Sequence, residues 1–401
     1  MSLVRDICIE EYRSNKLDEL RLLYNSLCAN LGIPEPRNSF NRWLLENGTR
    51  CTVDVLIPTN PDMTSIVNEI NEDVPIKLFS GGSEGYVHNS IRPYVEASKK
   101  LFTKYNQEYD KQLDSITVEN FQTTREIVDP ILRGLIASDL KTLCDALSRK
   151  SNEFALTVKN SSNPNNCKAN VKLIKLGPNI ILVNQMTVVL HNTVYETLRF
   201  KHKGKNVDAD IYRLNLRYKS LSKDEEGLQI AVSQEVFRRL SVLGVTGECF
   251  ASPFNSTLST YWSAFVDTDT VFGSRGSFFS KQKVPSGFYE ANPPFAEDFM
   301  MRMVLRLEFL LSIKNVPMSF ICFVPNWEDS QAIQALSKSR YVTRLMTFNK
   351  YEALFSRRGS PFALPNGTLV CVLQNSFSTW AVPPVEELKE YLLGIRNLLL
   401  F

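Results

Sequence analysis

From Val245 to the C-terminus the chain alternates short apolar runs with helix-period stretches, and this alternation limits its fold more than any other feature. "VTGECFAS", "YWSAFVDTD" and "GFYEANPPF" read as strands. "FAEDFMMRMVLRLEFLLSIK" has helical spacing with apolar positions nearly all round, which predicts a well-buried helix. "PMSFICFVPNW" is a strand, "DSQAIQALSKSR" a helix, "YVTRLMTFN" and "TLVCVLQNSF" strands, and "PVEELKEYLLGIRNLLLF" a closing helix. Strands and helices in alternation predict an α/β sheet covered on both faces.

The half before this reads differently. "IEEYRSNKLDELRLLYNSLCANLG" and "VDPILRGLIASDLKTLCDALSRKS" carry apolar residues at three-to-four spacing. Asp129 reads as an N-cap of the second helix, with Pro130 in its first turn. The polar stretch "NSSNPNNC" (160–167) reads as a boundary. With 401 residues the chain is long enough for two domains, expected as 1–165, mainly helical, and 166–401, with its core motifs over 245–380. After the boundary, "NVKLIKLG", "NIILVNQMTVVLH" and "TVYETLRF" read as strands, and the basic run "RFKHKGK" as a solvated hairpin tip or a phosphate contact. The glycines of "FSGGSEGY" lack the lysine of a P-loop, which favours a surface loop over a phosphate cradle.

Composition narrows the chemistry. Eight scattered cysteines without a C-x-x-C pair, and three dispersed histidines, argue against a structural zinc site or any metal. Cys249 and Cys322 lie in apolar runs and read as reduced core thiols. So few histidines also argue against triad catalysis. No apolar run reaches the length of a membrane span, and "MSLVRDICIEEYRSNK" lacks a signal peptide's apolar core, so a soluble, unsecreted chain is expected. A net charge of +3 leaves nucleic-acid binding to local patches.

Three strand ends carry the chemistry: "ECFASPFN", "FVDTDTVFGSRGSF" and "NPPF" (Asn292 to Phe295). Ligands of open α/β sheets sit at such carboxyl ends. Two consecutive prolines forbid a helix and remove two donors, so NPPF is a rigid hook that offers acceptors. An exocyclic nucleobase amine is a poor nucleophile. The Asn292 side-chain carbonyl and the Pro293 backbone carbonyl suit its two N–H groups, and Phe295 suits stacking on the base. Holding that nitrogen in line with a sulfonium methyl accelerates transfer by positioning, with neither histidine nor metal. The other reading of NPPF is a turn with a core phenylalanine. Its setting, after a strand and before a buried helix, favours the functional one.

With "GFYEANPPFAEDFM" and "MSFICFVPNW", these motifs resemble the cap-specific mRNA (2'-O-methyladenosine-N6-)-methyltransferases, the family of the phosphorylated-CTD-interacting factor, from about Tyr212 to the C-terminus. The resemblance implies a class I (Rossmann-like) S-adenosylmethionine-dependent methyltransferase sheet with an N-terminal mainly helical domain. It implies S-adenosylmethionine as donor and, as substrate, capped mRNA whose first nucleotide is 2'-O-methyladenosine. Asn292, Pro293, Pro294 and Phe295 match the family's catalytic motif. By strand-end position, Phe250, Ala251, Ser252 and Asn255 are placed around the donor, and Asp267 at its ribose hydroxyls. Arg217 and Tyr218 match the family pattern, as a phosphate contact and a stacking ring or as a packing tyrosine beside a solvated arginine. Arg275 is expected at RNA phosphate. Trp327 has two readings, a stacking ring or a core tryptophan. Two departures stand out: no WW domain is read at the N-terminus, which puts polymerase-tail binding and the family's nuclear address in doubt, and "PNW" stands for the family's "PEW". The alternatives are an N6-methyltransferase for internal RNA or DNA adenines and a non-catalytic RNA-binding protein on the same scaffold.

Overall fold

By its own contacts the chain divides into two units, Met1–Ala169 and Asn170–Phe401. The structure is a computed structural model and describes residues 3–30, 39–48, 54–59, 63, 121–160, 170–221, 230–280, 282–357 and 360–395. "FSGGSEGY" and most of "NSSNPNNC" lie outside the described residues.

In the first unit the described elements are helices: α1 (Leu3–Asn30), α2 (Ser39–Gly48) and α3 (Phe121–Asn160). α1 packs on α3, with Leu17, Leu20 and Tyr24 buried on one and Leu143, Leu147 and Phe154 on the other. Arg13 bonds Asp54 at 3.0 Å and Glu10 at 2.6 Å. α3 begins at Phe121, so Asp129 is not its N-cap and Pro130 lies inside it.

The second unit opens with an antiparallel meander, β1 (Lys172–Leu176), β2 (Asn179–Val183) and β3 (Thr187–His191). "TVYETLRF" is not a fourth strand but part of α4 (Asn192–Lys201). Two of its β-branched residues, Thr193 and Val194, sit in the first turn. The buried pair Tyr195 and Leu198 keeps helical spacing, and the His191 ring accepts from the Thr193 amide. The basic run is therefore the end of α4 and its link to α5 (Val207–Leu221), not a hairpin tip.

Six strands then build one sheet: β5 (Val245–Glu248), β6 (Thr260–Tyr261), β7 (Gly287–Ala291), β8 (Met318–Pro325), β9 (Val342–Phe348) and β12 (Thr368–Gln374). Their order is β6-β5-β7-β8-β12-β9. The first four run parallel, and β12 is antiparallel to both of its neighbours. Every residue of β7 and β8 is buried, as both-sided cover of parallel strands requires. One face meets α8 (Glu297–Leu311) and α9 (Gln331–Ser337), where Tyr289, Phe320 and Cys322 pack on Met300, Met303 and Leu307. The other face meets α6 (Gln234–Val242) and α10 (Val385–Leu393), where Phe288, Ile321 and Phe323 pack on Phe237, Leu240 and Leu388. A small antiparallel sheet of β4 (Ala231–Val232), β10 (Phe355–Arg357) and β11 (Ser360–Phe362) joins that second face. It was not anticipated, because its strands are only two or three residues long.

Two further expectations need correction. α8 is not buried all round, since Leu305 and Phe309 are exposed. Only Tyr261 of "YWSAFVDTD" is strand, with Thr260 in the two-residue β6, and Val266–Asp269 turns into a short helix, α7. Cys249 and Cys322 are free and buried, whereas Cys8 is disulfide-bonded. Among the described residues no helix is long and apolar enough to cross a membrane, and no group of three or more His, Cys, Asp and Glu is placed to hold a metal.

Candidate active site

Register brings two of the three motifs side by side. β5 and β7 run parallel with Glu248 opposite Glu290, and the Cys249 amide extends the ladder to the Glu290 carbonyl at 2.8 Å. "ECFASPFN" and "NPPF" therefore leave the same edge of the sheet at the same level. β8 lies alongside, with Ala291 opposite Cys322, and runs on to Pro325.

Asn292 is buried, 8% exposed. Its Nδ2 donates to the Ile230 carbonyl at 3.0 Å, which ties the hook to the chain just before β4. Its Oδ1 is buried and has no hydrogen-bond partner. A buried carbonyl left unpaired costs about 1–3 kcal/mol, so such an atom asks for a function. Pro293 is buried, and the Pro294 carbonyl takes the Ala296 amide at 2.9 Å. Phe295 is half-buried, one part packed on the second core and edge-on to Phe355 at 6.1 Å.

The loop after β5 closes on itself. The Asn255 Oδ1 accepts from the Ser252 amide at 2.7 Å and from its hydroxyl at 2.9 Å. The Ala251 amide bonds the Trp262 carbonyl at 2.9 Å. Phe250 sits in an aromatic cluster with Phe278, Phe279 and Phe299, at 5.3, 5.4 and 5.8 Å. Lys201, at the end of α4, reaches this loop. Its Nζ donates to the Pro253 and Ser256 carbonyls at 3.0 and 2.8 Å and to the Ser256 hydroxyl at 2.8 Å. Burial lowers its pKa.

Arg217 is neither solvated nor open to phosphate. It is 1% exposed and grips Asp267 with two bonds, at 2.9 and 2.8 Å. The Asp267 side chain stays 44% exposed. Tyr218 packs edge-on between Phe254 and Phe265, and its hydroxyl donates to Asp269 at 2.7 Å. α5 thus holds the acidic turn of α7 in place. Arg275 is exposed, its guanidinium 6.0 Å from the Trp262 ring. Trp327 is half-buried against the first core. Asn326 bonds the Gly367 carbonyl at 3.1 Å and lines a separate groove with Lys350 and Lys389.

Sequence reasoning passed over two carboxyls. Glu248 and Glu290 are cross-strand neighbours and buried, at 3% and 1%. Desolvation pushes Glu248 up to about 7, against the pull of the Leu258 and Thr257 amides. Desolvation, and then Glu248, push Glu290 well above the carboxylate range, and its Oε1 has no partner. The signal was visible: acids inside apolar strand runs are rare without a cause.

A family model described as "Phosphorylated CTD interacting factor 1 WW domain" matches residues 190–357. The expectation that the family's WW domain is missing is thereby corrected: the model of that name falls inside the chain, from α4 to β10 rather than at the N-terminus. The chain is also 28% identical, over 468 aligned positions, to the mRNA (2'-O-methyladenosine-N(6)-)-methyltransferase of Mus musculus, covering 95% of this chain and 65% of that one. It is 28% identical over 476 positions to the Homo sapiens protein of the same name, covering 97% and 67%. It spans about two thirds of the length of these curated relatives. Their names agree with the activity that the motifs imply.

Proposed function

We propose that the second unit is a class I methyltransferase sheet that uses S-adenosylmethionine to methylate N6 of the first transcribed 2'-O-methyladenosine, next to the 7-methylguanosine cap of mRNA. The observation that carries the reading is the buried, unpartnered Oδ1 of Asn292 at the carboxyl edge of the sheet. An acceptor with no partner in the protein fits an amine N–H of the substrate. Sheet order supports the fold, with an antiparallel strand set between β8 and β9 in an otherwise parallel array. The names of the relatives support the substrate.

The donor, when bound, supplies an electrophilic methyl on a sulfonium. For it, the chain offers the partly exposed carboxylate of Asp267, which suits ribose hydroxyls, and the half-buried ring of Phe250. The bonds between Ser252 and Asn255 make their loop rigid, so it contributes shape more than free side-chain donors. Towards the base, Asn292 Oδ1 and the Pro293 carbonyl accept the two amine hydrogens, and the open part of Phe295 stacks. The nitrogen lone pair is then held on the methyl's side, a gain from positioning. Arg217 acts through Asp267 rather than on phosphate, and Tyr218 through Asp269. Arg275 remains the proposed RNA phosphate contact and Trp327 a proposed substrate-binding ring. The name of the matched family model makes a phosphorylated C-terminal-domain peptide a proposed partner. The nucleus is proposed from the resemblance alone.

Asn292→Ala tests the reading. Methyl transfer to capped RNA is expected to fall by about 10²–10³-fold, the scale for losing one preorganised hydrogen-bonding group. Binding of S-adenosylmethionine, measured by calorimetry, is expected to persist. A variant that transfers methyl at the wild-type rate would overturn it.

A further inference from the structure

Phe200 is 92% exposed, on the last turn of α4. An apolar ring left in water is informative when its neighbours share a chemistry. Here they are cationic: Arg199, Lys203 and Lys205 are all exposed within six residues. The nearby counter-charge is spoken for. Glu196 meets Arg199 at 3.7 Å in an exposed pair, Asp208 takes the Tyr195 hydroxyl at 2.6 Å, and Asp210 meets His202 and Arg213.

This tract is fastened to the candidate active site. Lys201 holds the Pro253–Ser256 loop through three bonds. The Lys203 amide bonds the Val271 carbonyl at 2.7 Å, and the His202 ring packs on Phe272 at 5.3 Å. The Lys203 ammonium lies beside Gly273, which has φ +99° and leads to Arg275 two residues on. A rigid mount thus presents one bare ring and several cations beside the strand-end loops.

From this juxtaposition we infer that residues 199–205 form a docking surface for single-stranded RNA, in which Phe200 stacks on a base and Lys203 and Lys205 pair with backbone phosphates. Stacking on an exposed ring within a cationic track tolerates any base, which suits transcripts that share only a first nucleotide. The inference rests on the reading above for its direction, since it places the nucleotides that follow the methylated one.

Fluorescence anisotropy of a labelled, capped, single-stranded RNA on the full chain tests it without donor or turnover, so an inactive enzyme would not obscure the answer. Phe200→Ala is expected to weaken binding about five- to a hundredfold, Phe200→Trp to restore it, and Phe200→Leu to leave it weak. Lys203→Ala with Lys205→Ala is expected to flatten the slope of log affinity against log salt by about 1.4, two single-strand phosphate contacts. Thermal midpoints are expected to hold, because all three residues are exposed. Wild-type RNA affinity in Phe200→Ala would overturn the inference. So would variants that keep RNA but lose a phosphorylated C-terminal-domain peptide, which would give the surface to a protein.

Discussion

Glu248 and Asn292 sit at the ends of neighbouring strands, and each holds a polar atom in a dry place for a different reason. Glu248 closes the turn after β5, its Oε1 accepting the Thr257 amide at 2.8 Å and the Leu258 amide at 2.5 Å. Ionising it there is costly, which is why its pKa stands at about 7 against 4.5 for a free glutamate. The proton is bound more tightly in the folded chain than in the unfolded one. The stability it contributes is thus complete below about pH 4.5 and is lost as pH rises through 7, up to about 3 kcal/mol in all. Glu248→Gln keeps one acceptor oxygen and cannot ionise. Chemical denaturation is expected to show wild type losing stability relative to this variant between pH 5 and pH 8. Parallel pH profiles would contradict the assignment.

At the scale of elements, α5 and α7 form the support beneath the second strand-end motif. Tyr218 and Arg217 are consecutive on α5, and they reach Asp269 and Asp267 in the same turn. Burial raises the pKa of Asp269, and hydrogen bonds from Ser263, Tyr218 and Thr268 oppose that rise. Tyr218→Phe removes one of those bonds and leaves the ring packing intact. It is expected to cost about 1–3 kcal/mol of unfolding free energy and to leave the salt dependence of RNA binding unchanged. Unaltered stability together with weakened RNA binding would return Tyr218 to the RNA.

These elements also show what a sequence can and cannot tell. β7 and β8 were legible because parallel strands buried on both faces leave unbroken apolar runs. The hook was legible because two prolines allow few backbones. α4 was misread, since Thr193 and Val194 look like strand where they form a helix's first turn. The pairing of the buried Arg217 with Asp267 spans 50 positions, and no local pattern encodes it. The orphaned Oδ1 of Asn292 is a property of packing, which arises only in the folded chain.

At the scale of the whole molecule, the candidate chemistry gathers at one edge of one sheet in the second unit. Strand direction puts the ends of β5 and β7 together beside β8, and the covered faces leave that edge as the place for a ligand. The central claim is that a first-nucleotide adenosine beside a cap is methylated there. The most direct test supplies labelled S-adenosylmethionine and two RNAs of one sequence, both starting with adenosine, one with the 7-methylguanosine cap and one with a bare 5' end. Nucleoside analysis then locates the label. The account predicts label on N6 of the first adenosine of the capped RNA alone. Equal transfer to both RNAs, or label on internal adenosines, would contradict it.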